Sequence, residues 1–310
     1  MTLDDRTGPC LCLAPRPYSR RPAFRLPEGT CDTHAHVFGS KFPLADGHGY
    51  KPHDLGGADY LRLLSNMGIA RGVLVQPSVY RTDNSALLDA LHQAPDILRG
   101  VAVLHPDIDA GAVRQLHEAG VRGIRVNRRN AGGLSLDAIP TLGRIVAPFG
   151  WHIQLQVQLA HTPDLAGIVA GCPVPVVIDH FGFPDMSPSG PGRDFASLLT
   201  LVEQGRVWVK MSAPYRVSRA GFPYSDTAPM VEALAACRPD RLLWGTDWPH
   251  TELWADMPDD ADLIDATPIR SLTPDVQRAI FVENPAALYG FHTGASGDAP
   301  GKTAEPKTTP

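Results

Sequence analysis

Apolar runs of five to seven residues recur along the chain, and most are followed by a longer stretch with helical spacing. The runs at 31–37, 72–77, 99–104, 121–126, 152–158, 174–179, 207–211 and 241–246 predict eight strands. The stretches at 57–67, 83–94, 109–119, 135–148, 163–170, 194–204, 227–236 and 273–281 predict helices. Thr273 before Pro274 is a start signal, an N-cap followed by a residue with a preset φ. Ser135 and Asp194 offer similar caps. This alternation over residues 29–292 predicts an α/β fold, a (β/α)8 TIM barrel. The competing architecture, an open doubly wound sheet, carries a glycine-rich phosphate loop after an early strand, and none is present.

The flanks lack this order. Residues 1–28 are rich in proline and arginine and predict an N-terminal arm laid over a surface, or disorder. Residues 293–310 are Gly, Ala, Thr, Pro and Lys and predict a disordered C-terminal tail.

Composition narrows the function classes. The chain is 43% hydrophobic and 20% charged, with a net charge of -5, so it carries no nucleic-acid footprint. No apolar run reaches the roughly 18 residues of a membrane span, and the first residues show no secretory apolar region. Five scattered cysteines suit a reduced, cytoplasmic protein, and the Cys10-x-Cys12 pair is weak evidence for a metal. A homo-oligomer is left open.

In a parallel barrel, functional groups gather at the C-terminal strand ends. The first strand gives His34 and His36, two apart and so on one side. The second ends at Gln76 and leads to Ser78. The fourth gives Arg125, then Arg128 and Arg129. Gln154, Gln156 and Gln158 share one face of the fifth. The sixth ends in Asp179-His180, the seventh carries Lys210 and is followed by Arg216, and the eighth ends at Asp247 between Trp244 and Trp248. Taken singly, each has a bland reading: a strand-end histidine is commonly a hydrogen-bonded structural residue, and a strand glutamine a solvated one. His105, His152 and His161 are read as structural, and His250 as shaping the loop after Asp247.

The joint pattern is more specific. His-x-His on strand one, His on strand six and Asp on strand eight resembles the amidohydrolase superfamily. The phrases Asp-Thr-His-Ala-His-Val-Phe-Gly (32–39), Val-Gln-Pro-Ser (75–78), Thr-Asp-Asn (82–84), Gly-Ile-Arg-Val-Asn (123–127), Val-Ile-Asp-His-Phe-Gly-Phe-Pro-Asp (177–185), Trp-Gly-Thr-Asp-Trp-Pro-His (244–250) and Asn-Pro-Ala-Ala-Leu-Tyr (284–289) run in order over about residues 28–292. They resemble the amidohydrolase-2 group, and within it the lactonases of the 2-pyrone-4,6-dicarboxylate type, which implies an amidohydrolase-like (β/α)8 barrel. That resemblance implies hydrolysis of a small acidic lactone with Asp247 as general base for water. It implies that His34, His36 and His180 polarise the carbonyl or hold the site. It implies substrate contacts from Arg125, Ser78, Tyr50 and Arg216, and a reaction without metal.

Two departures bear on the substrate. The second carboxylate-binding arginine of that branch is displaced here, with Arg128 and Arg129 nearby, and Gln156 aligns with a tyrosine. A muconolactone or an aldarolactone therefore suits the pocket better than pyrone dicarboxylate. A metal-dependent decarboxylase or hydrolase and a lactone isomerase are the alternatives on the same fold.

The residue types suit the chemistry. The two tryptophans beside Asp247 are expected to shield it and raise its basicity. Imidazoles can donate to a developing oxyanion, and arginines fork a carboxylate. His34, His36, His180 and Asp247 could instead hold one Zn²⁺ or Mn²⁺. The usual ligand from strands four or five is replaced by Arg and Gln, so no cofactor is favoured.

Overall fold

The computed structural model describes residues 8–130, 133–187 and 190–292. Eight parallel strands form one sheet in sequence order: β1 (Cys31–Ala35), β2 (Arg71–Val75), β3 (Leu98–Ala102), β4 (Val121–Asn127), β5 (His152–Gln156), β6 (Val176–Ile178), β7 (Val207–Ser212) and β8 (Leu242–Gly245). The sheet closes on itself. Past the strand ends Ala35 bridges Trp248 in parallel, the Asp247 N–H donates to the His34 carbonyl at 2.8 Å, and the His36 N–H donates to the Trp248 carbonyl at 2.8 Å. The predicted (β/α)8 barrel is the observed fold, with each predicted strand in place and boundaries shifted by a residue or a few.

The helices on the outside are α1 (Gly57–Met67), α2 (Ser85–Gln93), α3 (Ala110–Glu118), α4 (Ile139–Val146), α5 (Leu165–Gly171), α6 (Arg193–Glu203) and α7 (Ala228–Cys237). Each of the longer ones buries an apolar stripe; α1 turns Tyr60, Leu63, Leu64 and Met67 inward, the spacing of one helical face. Gly68 ends it with φ 73°, a left-handed cap that glycine adopts without a Cβ penalty. Truncating a core residue such as Leu63 to alanine is worth about 2–5 kcal/mol.

Two elements depart from expectation. The loop after β8 contains α8 (Asp260–Ala266), unpredicted, whose N-cap Asp259 accepts from the Asp262 N–H. The predicted helix at 273–281 continues further. It runs as α9 (Pro274–Arg278), a π turn (Ala279–Glu283) and α10 (Asn284–Tyr289). The last helix is a plug: Tyr289 is buried with Cys31, Val73, Val101, Val177 and Leu243, the apolar floor inside the barrel. Asn284 fixes it by donating to the carbonyls of Pro239 and Leu242, each at 2.8 Å.

Residues 8–28 lie over the C-terminal loops as an arm. Cys10–Leu11 pairs in parallel with Tyr50–Lys51, and the Leu13 N–H donates to the Leu253 carbonyl. Arg20 pairs with Asp262 and Asp265. Residues 1–7 and 293–310, and so the predicted tail, lie outside the described residues. No described helix is long and apolar enough to cross a membrane.

Candidate active site

The site begins where β8 runs tightly against β1. A Cβ at Gly245 would meet the Cβ and the backbone nitrogen of His34 at 2.8 Å, so only glycine allows this approach. Asp32, buried, then joins the two strands. Its carboxylate accepts from the His34 N–H (3.0 Å), the Thr246 N–H (2.9 Å), the Thr246 hydroxyl (2.7 Å) and the Tyr60 hydroxyl (3.0 Å). Burial pushes its pKa up to about 6 against these donors. The chain next turns through Asp247 at φ 64°, a left-handed conformation in which an aspartate is tolerated. This turn aims the carboxylate across the barrel mouth.

The tryptophans do not shield it. Trp244 packs edge-on against Phe281 and Trp248 against Tyr60, both in the helix–sheet layer. Trp244 leaves β8 on its outer face, and Trp248 lies past the strand end, after the turn at Asp247. The expectation of a raised pKa is overturned with it. Burial favours the neutral acid, but the Arg216 guanidinium on Oδ2 outweighs it and holds the Asp247 carboxyl well below the usual range.

Asp247 is surrounded on both oxygens. Oδ2 accepts from the Tyr215 hydroxyl at 2.6 Å and from Arg216 Nε at 2.7 Å. Oδ1 faces three imidazole nitrogens, Nε2 of His34 at 3.6 Å, of His180 at 3.6 Å and of His36 at 3.9 Å. Burial holds the histidines neutral: His36 is brought down to about 3 with help from Arg125, and His180 to about 4 against the opposing charges of Asp247 and Asp179. His34 is also held well below its ordinary value, by burial and by Lys210 against the opposing charge of Asp179. His36 Nδ1 donates to the Val75 carbonyl at 2.7 Å, which leaves Nε2 as a lone pair toward Asp247. His180 Nδ1 pairs with the Ser212 hydroxyl at 2.8 Å.

A buried layer supports these groups. Lys210 donates to the Thr33 carbonyl and to Gln154 Oε1, both at 2.7 Å, and lies 3.5 Å from His34 Nδ1. Burial brings its pKa down to about 8. Gln154 donates to Asp179 at 2.9 Å, and Asp179 Oδ1 lies 3.3 Å from His34 Nδ1.

The small polar cavity above is lined by His36, Tyr50, Ser78, Arg125, Asn127, Asn130, Gln156, His180, Arg216, Asp247, Thr251 and Glu252. It gathers most of the residues singled out in the sequence, and His34 stands against Asp247 at its base. Arg128 is placed elsewhere, in a separate depression with Gln158 and His161. Of the three glutamines, only Gln156 reaches the cavity; it accepts from Arg125, whose other amino group donates to the Gln76 carbonyl at 3.1 Å. His152 is buried edge-on to Tyr289, away from the cavity lining.

Sequence reasoning missed Tyr215, Asn127, Asn130, Thr251 and Glu252, and gave Asp32 no role. It also understated His250, whose Nδ1 lies 3.0 Å from the Tyr215 hydroxyl and whose Nε2 lies 3.2 Å from Asp260. The available signal was adjacency, since Tyr215 precedes Arg216 and His250 follows Asp247 by three.

The cluster fits a single metal ion. His34 Nε2 is buried without a hydrogen-bond partner, and His36 Nε2 presents a lone pair. His34, His36 and Asp247 form one group that could hold a cation, and His34, Asp179 and His180 another. The 3.6–3.9 Å separations around Asp247 Oδ1 are close to the ligand–ligand spacing of about 3.4 Å in a tetrahedral site with bonds near 2.1 Å.

This barrel, with His-x-His, His and Asp at its mouth, defines the class of enzyme. The chain belongs to the amidohydrolase family, whose model matches residues 31–291. It is 36% identical to a 2-pyrone-4,6-dicarboxylate hydrolase of Comamonas testosteroni, over 87% of this chain and 92% of that protein. It is 35% identical to a 4-sulfomuconolactone hydrolase of Rhizobium radiobacter, over 92% of this chain and 98% of that protein. An apo crystal structure from Agrobacterium tumefaciens superposes with a TM-score of 0.77 at 26% identity, covering 87% of this chain and 99% of that one.

Proposed function

We propose that this protein hydrolyses the ester bond of a small acidic lactone in the cytoplasm, with Asp247 as general base. The observation that carries the reading is the placement of Asp247 Oδ1 among three neutral imidazoles, beside two arginines and below a polar cavity. The names of the relatives support lactones as the substrate class. Five unpaired cysteines support the reducing compartment.

Arg125 and Arg216 take the substrate carboxylate, with Ser78, Tyr50 and Gln156 fixing the ring. A water near Asp247 Oδ1 gives its proton to the carboxylate while its oxygen attacks the lactone carbonyl. His36 Nε2, a lone pair, orients that water. His180 donates to the oxyanion from Nε2 when Ser212 holds its Nδ1 as an acceptor, and one well-placed donor is worth about 3–4 kcal/mol. His34, whose Nδ1 faces Asp179, supports Asp247 from below. Collapse of the tetrahedral species breaks the ring C–O bond, and the leaving oxygen takes the proton from Asp247. A substrate carboxylate that draws Arg216 away would raise the basicity of Asp247 at the moment of use.

A metal-dependent reading is favoured by one observation, the unpartnered Nε2 of His34. His34, His36, His180 and Asp247 would hold the Zn²⁺ or Mn²⁺ ion, which would supply Lewis-acid polarisation of the carbonyl. Metal analysis of the purified protein, with activity before and after chelation, separates the two. Full turnover in metal-free protein supports the first reading; loss on chelation and recovery on adding Zn²⁺ or Mn²⁺ supports the second. NMR of the products distinguishes ring opening from the acyl shift of an isomerase.

A further inference from the structure

The cavity holds a second carboxylate that ester hydrolysis does not use. Glu252 lines it, five residues after Asp247. Its position is built. Asn130 Nδ2 donates to Glu252 Oε1 at 2.7 Å, and Asn130 Oδ1 accepts from Asn127 Nδ2 at 2.8 Å. Asn127 Oδ1 in turn accepts from the N–H groups of Arg129 at 2.9 Å and Asn130 at 3.2 Å. The backbone is tied as well, because the Glu252 N–H donates to Cys12 Sγ at 3.2 Å. These bonds fix the carboxylate between the loops after β4 and β8.

The charge around it decides what it can accept. The lining cations are Arg125 and Arg216 and the lining anions Asp247 and Glu252, so these charged residues balance. Arg216 is already engaged by Asp247. Arg129, stacked 3.8 Å over Phe183, lies outside the lining and is the nearest further cation that feels Glu252. With Arg129 counted, the cations exceed the anions by one, which matches one substrate carboxylate; a second anionic group would meet Glu252 uncompensated. An ionised carboxylate only accepts hydrogen bonds, so its complement on a substrate is a hydroxyl. The remaining polar lining, Ser78, Tyr50, Thr251 and Asn127, is uncharged.

We propose that Glu252 is a specificity residue: its carboxylate accepts from a ring hydroxyl of a monoanionic, hydroxylated lactone and disfavours lactones that carry a second anionic group. This rests on the lactone reading above and narrows its substrate class.

Glu252→Gln keeps the shape and the acceptor for Asn130 and removes the charge. Calorimetric titration of wild type and variant uses two stable probes, D-gluconate as a hydroxylated monoanion and pyridine-2,4-dicarboxylate as a planar dianion. Wild type is expected to bind gluconate more tightly. The variant is expected to shift the ratio of the two Kd values toward the dianion by about tenfold or more, with its melting temperature unchanged. A wild-type preference for the dianion, or a ratio unchanged in the variant, overturns the proposal. In parallel, kcat/KM for an aldarate monolactone and for pyrone dicarboxylate should shift the same way, through KM. If wild type opens neither lactone, the hydrolytic reading fails, while the binding ratio still decides the role of Glu252.

Discussion

Arg216 Nε lies 2.7 Å from Oδ2 of Asp247, so the proposed base is held as a carboxylate by a guanidinium of its own site. The same arginine donates to the Thr251 carbonyl at 2.6 Å, which orients its fork toward the cavity. It is therefore placed to exchange one carboxylate partner for another when substrate arrives.

Arg216→Met removes the strongest cation beside Asp247 and leaves burial as the main influence. Its carboxyl pKa should rise, and the acid limb of kcat/KM should move to higher pH. Stability follows the same sign. With the folded pKa below the unfolded value of about 3.9, Asp247 stabilises the fold above that pH, and the contribution is lost as pH falls through the folded value. At neutral pH the variant, with a buried charge left uncompensated, should lose about 3–5 kcal/mol. Urea titrations and pH–rate profiles of both proteins read this; superimposable acid limbs would count against the pairing.

Gly245→Ala places a methyl within 2.8 Å of His34. The β1–β8 seam must widen or His34 must move, and either displaces the imidazole facing Asp247. A lowered melting temperature together with at least about tenfold lower turnover is expected, where overpacking alone costs about 1–3 kcal/mol. An alanine variant that melts and turns over like wild type would mean the seam is not held this closely.

Thr246→Val removes one of the donors to Asp32 and should cost about 1–3 kcal/mol. The pH dependence is specific. Because the folded pKa of Asp32 is raised to about 6, the stability tied to its neutral form is present below about 3.9 and is lost as pH rises through about 6. The variant weakens the charged form further, so its deficit in melting temperature should be small at pH 4 and larger at pH 7. A deficit independent of pH would show that the lost hydroxyl does not serve the carboxylate.

Much of this was legible because a parallel barrel writes its chemistry at strand ends. His34, His36, Arg125, His180 and Asp247 stand out as polar residues closing apolar runs, and the barrel brings them together. What was not legible lies where periodicity stops. Tyr215, Asn130 and Glu252 sit in loops, where partners depend on tertiary contacts between β4, β7 and β8. The tryptophans beside Asp247 were misread because adjacency in sequence is not adjacency in space: Trp244 faces the outer layer from β8, and Trp248 follows the left-handed turn at Asp247 and packs in the same layer. The low pKa of Asp247 could not be foreseen either, since it depends on Arg216 arriving from another strand end.

The most direct test is turnover of Asp247→Asn on an acidic lactone that wild type opens, with metal content and melting temperature measured on the same batches. Loss of a general base is expected to lower kcat on the order of 10²–10⁴-fold, with the fold retained. A folded Asp247→Asn protein with near-wild-type turnover would contradict the assignment of Asp247 as the base.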